Sequence, residues 1–190
     1  MDGNTDFFVV DAVGGPSRRL TFESSIDGVA SWSRDSRSIY FTSTRAGAIP
    51  DIWRVLAEGG SATRITYHGG YQAREGADGN LYYVDRPQEG SGRTPKLMRM
   101  PVGGGPESEV LREVRYWWSV ADQGVYFVAR ESEFDAIDRH NFSDGKVVRL
   151  GRLALRAFRT GELSVSPDGR LALVPLGREQ ADLMLLDRFK

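Results

Sequence analysis

Histidine occurs only as His68 and His140, far apart and without the His-Glu-x-x-His spacing that would set two imidazoles on one helical turn for zinc. No serine has glycine at both the second preceding and the second following position, so the sharp turn that exposes a hydrolase nucleophile is missing. Glu131, Glu133, Asp135 and Asp138 offer the oxygen ligands calcium takes, but their spacing matches no calcium loop and reads as a solvated acidic stretch. There are no cysteines, which removes disulfides and thiolate chemistry. The sequence therefore names no catalytic residue, no metal site and no cofactor. What remains is recognition chemistry. Arg45, His68, Tyr71, Arg86, Tyr116, Trp117 and Arg159 carry cations, hydrogen-bonding groups and aromatic faces able to grip a protein or a small ligand.

The elements that must position these residues are written four times. The turn Arg34-Asp35-Ser36 precedes Ile39-Tyr40-Phe41, and Ala77-Asp78-Gly79 precedes Leu81-Tyr82-Tyr83. Asp122-Gln123-Gly124 precedes Val125-Tyr126-Phe127, and Pro167-Asp168-Gly169 precedes Leu171-Ala172-Leu173. The Gly pairs Gly14-Gly15, Gly59-Gly60 and Gly103-Gly104 recur at about 44 positions, with Asp144-Gly145 in the next slot. Each is followed by a short strand such as Arg19-Leu20-Thr21 or Arg64-Ile65-Thr66. About four strands in such a period is the signature of a β-propeller blade. The strands are apolar at consecutive positions, as for sheets packed on both faces, and helical periodicity is nearly absent. The aromatics at equivalent positions, Trp32, Trp53, Tyr40, Phe41, Tyr82, Tyr83, Tyr126 and Phe127, are expected to pack blade against blade.

The fold expected is all-β, a β-propeller of four-stranded antiparallel blades, about four to five of them, forming one domain over residues 1–190. Residues 6–22 read as the third and fourth strands of a blade, residues 27–70, 71–114 and 115–160 as three whole blades, and residues 161–190 as an incomplete last one. The mismatched ends imply a partial propeller, or closure through a homodimer of the end blades. With 25 Lys and Arg against 26 Asp and Glu, the net charge of −1 supplies no field for nucleic acid or anionic lipid. No apolar run is long enough to span a membrane. Phe7-Phe8-Val9-Val10 is too short for a signal sequence, so a soluble chain is expected in either the periplasm or the cytoplasm.

Segments Ala30-Ser31-Trp32-Ser33-Arg34-Asp35-Ser36, Asp51-Ile52-Trp53-Arg54 and Ser164-Val165-Ser166-Pro167-Asp168-Gly169-Arg170 resemble the Trp-Asp-repeat-like units of TolB-type bacterial propellers. The ending, Asp182-Leu183-Met184-Leu185-Leu186-Asp187, is similar to the last blade of proteins in which such a propeller follows a winged-helix domain. Ser36 and Arg74-Glu75-Gly76-Ala77 depart from the family turn Ser-Pro-Asp-Gly. The resemblance implies a non-enzymatic scaffold for protein or ligand binding, a sensory or interaction part of a larger bacterial protein. Because the same repeat occurs in prolyl oligopeptidase-class peptidases and polysaccharide-degrading enzymes, an accessory propeller of a hydrolase is the other reading. Binding is expected where the longer, variable connections collect, which is where the seven residues above fall.

Overall fold

The computed structural model describes residues 5–85, 92, 94–114, 117–155, 157, 162–177 and 181–187, with nothing said of the side chains of residues 177 and 181–187. Every regular element among them is a strand. The chain opens with a two-stranded ladder, β1 (Phe8–Val9) against β2 (Arg18–Arg19). A four-stranded sheet follows, built from β3 (Asp27–Trp32), β4 (Ser38–Ser43), β5 (Asp51–Leu56) and β6 (Thr63–Arg64). The second has β7 (Tyr71–Glu75), β8 (Asn80–Val84), β9 (Lys96–Pro101) and β10 (Ser108–Arg112). The third has β11 (Trp118–Ala121), β12 (Gly124–Arg130), β13 (Asp135–Asn141) and β14 (Val147–Arg152). A three-stranded sheet of β15 (Ser164–Val165), β16 (Leu171–Gly177) and β17 (Ala181–Asp187) ends the chain. All are antiparallel and each strand pairs with its neighbour in sequence, the meander of a propeller blade. The fold is a partial β-propeller.

The residues fall into two compact units, Met1–Glu75 with Asn80–Glu113, and Gly76–Gly79 with Val114–Lys190. In the first unit β4 is buried along its whole length, and the pleat explains why. Ile39 and Phe41 point to one face and pack with Leu20, Val55, Phe7 and Val9. Tyr40 points to the other and packs with Ile52, Ala73, Leu81, Tyr83 and Met100 of the next sheet. A strand covered on both faces needs no polar alternation, so the consecutive apolar run is the correct signal. In the second unit Trp117, Tyr126, Ile137 and Leu163 join Ala172, Val174 and Leu176 in one cluster. Burial of each such large side chain is worth about 1.5–3 kcal/mol. Tyr40, Phe41, Tyr82, Tyr83 and Tyr126 are all buried, as their repeat positions predict. Trp32 is the exception at 51% exposure, because no strand covers that side of β3 among the described residues.

Outer strands are tied by a clasp that recurs with the repeat. Asp51 accepts from Arg64 at 2.6 Å and from Thr66 Oγ1 at 3.1 Å, while Thr66 Oγ1 also accepts from the Ile52 amide at 2.9 Å. Asp6, Arg19 and Thr21 repeat the arrangement around Phe7. One repeat later the polarity reverses, with Lys96 donating to Glu109. The left-handed Gly pair of that repeat is Gly104 (φ 90) with Gly105 (φ 147), one residue later than Gly103-Gly104. The interval is thus 45 residues from one pair to the next.

Candidate functional site

Antiparallel order sends the one-to-two and three-to-four turns to one end of each sheet, and the two-to-three connection with the inter-blade linker to the other. At the linker end, the loop set chosen from sequence is only partly accessible. The Arg45 guanidinium is held by Asp27 at 2.9 Å and lies 5.0 Å from the ring centroids of both Phe41 and Trp53. Asp27 is itself fixed by Ser25 and Ser43 hydroxyls at 2.9 and 2.6 Å. Arg45 is therefore committed to holding its own loop. His68 is exposed and Tyr71, the first residue of β7, is half-buried. Beside His68 stands Tyr67, also exposed, with the Arg64 guanidinium 4.8 Å from its ring. Trp117 corrects its expectation: at 8% exposure it belongs to the hydrophobic core of the second unit, where Arg130 lies 5.1 Å from its ring. The linker folds inward there because an apolar indole gains more from the core than from water. Arg86, Tyr116 and Arg159 lie outside the described residues.

The acidic stretch is not a free solvated loop either. Asp135 is wholly buried and accepts the Ala157 amide at 2.8 Å, as Asp51 accepts the Gly69 amide at 3.1 Å. Both carboxylates start a third strand and hold the linker to the next sheet, satisfying amides that would otherwise be buried unpaired. Asp138 takes Arg149 through two bonds of 3.0 and 3.2 Å, and Glu131 takes the same guanidinium.

At the turn end, within the second unit, a cleft of about 470 Å³ opens. Its lining is Ala77 and Asp78 of the β7–β8 turn, Asp122 and Gln123 of the β11–β12 turn, Arg139 and Asn141 of β13, and Phe142 and Ser143 beyond it. The turns that build it are rigid for local reasons. Gly79 and Gly145 take positive φ values of 79 and 68°, which costs glycine nothing. Asp144 accepts the Lys146 amide at 3.0 Å and the Asn141 amide group at 3.2 Å. The first of these bonds lowers the Asp144 carboxyl below the ordinary aspartate range. The Phe142 amide donates to Gln123 O at 3.1 Å, joining two turns.

Arg139 forms the floor, with Nε donating to Asn141 Oδ1 at 2.7 Å and NH1 to Gln123 Oε1 at 2.5 Å and to the Tyr126 hydroxyl at 3.4 Å. The cleft thus offers two carboxylates, amide groups, a fixed guanidinium and one aromatic ring at its rim. Such groups orient a bound surface; none is paired as nucleophile and base. None of these residues belongs to the loop set. The turns are short in sequence, and only their meeting in space makes a cavity, so no local pattern could have marked it.

Comparison with known structures shows the same fold at low identity. TolB from Acinetobacter baumannii superposes with a TM-score of 0.70 at 15% identity, over 96% of this chain and 46% of that one. An oligogalacturonate lyase in complex with manganese gives 0.64 at 15% identity, over 94% and 52%. A prolyl endopeptidase gives 0.60 at 12%, over 91% and 29%. The chain thus spans about half the length, or less, of these three proteins. The family model of the TolB beta propeller domain matches residues 1–116, more than half of the sequence, and the chain belongs to that family.

Proposed function

We propose that the chain is a non-enzymatic recognition domain, an interaction part of a larger protein, and that it takes a protein partner at the turn end of the β11–β14 sheet. The cleft carries this reading. Its walls are tight turns locked by their own hydrogen bonds, so a partner meets a surface with little ordering left to do. Its rim mixes opposite charges with Phe142, a composition suited to a protein surface with a basic or amide-rich edge. The TolB-like family supports a scaffold role, since propeller relatives with quite different activities share the architecture.

A photo-crosslinking amino acid placed at Ser143 in the cleft, and separately at His68 at the linker end, tests the reading. Partner adducts at Ser143 and not at His68 are expected. Adducts at His68 alone would move the site to the linker end. Turnover of a peptide or polysaccharide substrate that disappears on one substitution would replace the scaffold reading with an enzymatic one.

A further inference from the structure

The ladder β1–β2 carries the clasp of a third and fourth strand, Asp6–Arg19–Thr21 matching Asp51–Arg64–Thr66. In the β3–β6 sheet, the third strand has two more strands on its inner side; β1 has none. Leu20 N donates to Phe7 O, so in the ladder Phe8↔Arg19 and Val9↔Arg18 it is Phe8 that turns its N–H and C=O to the open edge. Beside that edge runs a groove of about 120 Å³ lined by Phe7, Phe8, Val9 and Leu20 on one wall and by Ala30, Trp32 and Ile39 on the other. Phe8 is 58% and Trp32 51% exposed.

The neighbouring sheet shows what belongs in such a place. Tyr40 of the second strand and Ser31 of the first cross to the β7–β10 sheet, the Tyr40 hydroxyl donating to Glu75 at 2.6 Å and the Ser31 hydroxyl to Ala73 O at 2.6 Å. Trp32 holds in its own sheet the position that Glu75 holds in the next, the last residue of a first strand. An indole there takes an apolar or aromatic side chain where Glu75 takes a hydroxyl.

We propose that a partner molecule docks a two-stranded apolar β-hairpin on the free edge of β1, filling the two inner strand positions of that blade and covering Phe8 and Trp32. Main-chain bonds to Phe8 give the register, and the groove selects aliphatic and aromatic side chains on the facing positions. A partly built sheet with an apolar flank is a template for this kind of addition.

The test uses a cyclised, fluorescently labelled hairpin peptide with the sequence of residues 28–43 as the probe, and fluorescence anisotropy as the readout. Saturable binding is expected, weakened at least tenfold by Phe8→Asp and by Trp32→Ala, and unchanged within twofold by Phe22→Asp, which lies outside the groove. Both test positions are exposed, so the fold should survive, and circular dichroism melts verify it. Slowed amide exchange at Phe8 on binding is the second expected sign. Equal binding by the Phe8→Asp chain, or no binding at all, overturns the proposal. So does a concentration-dependent dimer that Phe8→Asp reverts to monomer, since a second copy would then be the occupant.

Discussion

Asp35 and Asp168 anchor the same turn in two copies of the repeat. Each accepts a serine hydroxyl at 2.6 Å, from Ser33 and Ser166, and a backbone amide two residues on, at 3.0 and 3.1 Å. These serine bonds, with the amide bonds after them, lower both carboxyls below the ordinary aspartate value of 3.8. A depressed carboxyl contributes stability that is present above its unfolded value and lost as pH falls through the folded one. Carbon-detected NMR titration should find both aspartates ionised when a surface aspartate is half protonated; midpoints at the ordinary value would contradict the turn geometry.

The two turns differ at one residue. Gly169 follows Asp168 with φ 70°, while Ser36 follows Asp35 with φ 60°. Ser36→Gly should therefore raise stability by about 0.5–1 kcal/mol, measured by urea unfolding, because a Cβ in the left-handed region is strained. Gly124→Ala should do the opposite, losing roughly 1–3 kcal/mol, since its Cβ would collide with the backbone carbonyl of His140. The departure at Ser36 is legible in the sequence. The constraint at Gly124 is not, because it arises from a neighbouring strand.

Elements are joined within sheets by the clasp and between sheets by tyrosines at one repeat position. Tyr40 reaches Glu75 and Tyr126 reaches the Gly169 carbonyl at 3.5 Å. Burial first, and then the nearby Glu75 or Glu107 charge, raises the Tyr40 and Tyr83 hydroxyls above the ordinary value of 10.0. Stability from these neutral phenols is present below that value and lost as pH rises above it. Ultraviolet titration should show two of the seven tyrosines lagging behind the rest, with Tyr40→Phe and Tyr83→Phe each removing one; simultaneous ionisation of all would contradict the buried contacts.

In the clasp, Asp51→Ala strips partners from Arg64, Thr66 and the Gly69 amide at once. A loss of about 3–5 kcal/mol is expected in chemical unfolding, the range for breaking a buried charged pair. At the reversed clasp, Lys96→Glu with Glu109→Lys should recover stability that either single change loses, though less of it, because that pair is half exposed. Aromatic strands and Asp turns could be read directly from their spacing. The clasp could not, because its meaning is a pairing across two strands, and its third copy inverts the charges.

At the level of the whole molecule, the sequence located blades better than it located a surface. A blade repeats its own punctuation, so Tyr40, Tyr82 and Tyr126 fall where the repeat places them. A binding surface comes from different copies meeting, and it need not use the longest loops. Arg45 looks free in the sequence and is clamped by Asp27; Trp117 looks like a loop residue and is core. Asp122, Arg139 and Phe142 sit in turns too short to draw notice, yet they line the cleft. Recognition at the turn end, separate from the packing that holds the sheets, is the central claim. With a partner identified by crosslinking at Ser143, its dissociation constant and the melting temperature should be measured together for Phe142→Ala and Tyr82→Ala. Phe142→Ala should weaken binding at least tenfold with little change in melting temperature, while Tyr82→Ala should cost about 3–5 kcal/mol of stability. Unchanged affinity in Phe142→Ala, or a melting loss equal to that of Tyr82→Ala, would contradict it.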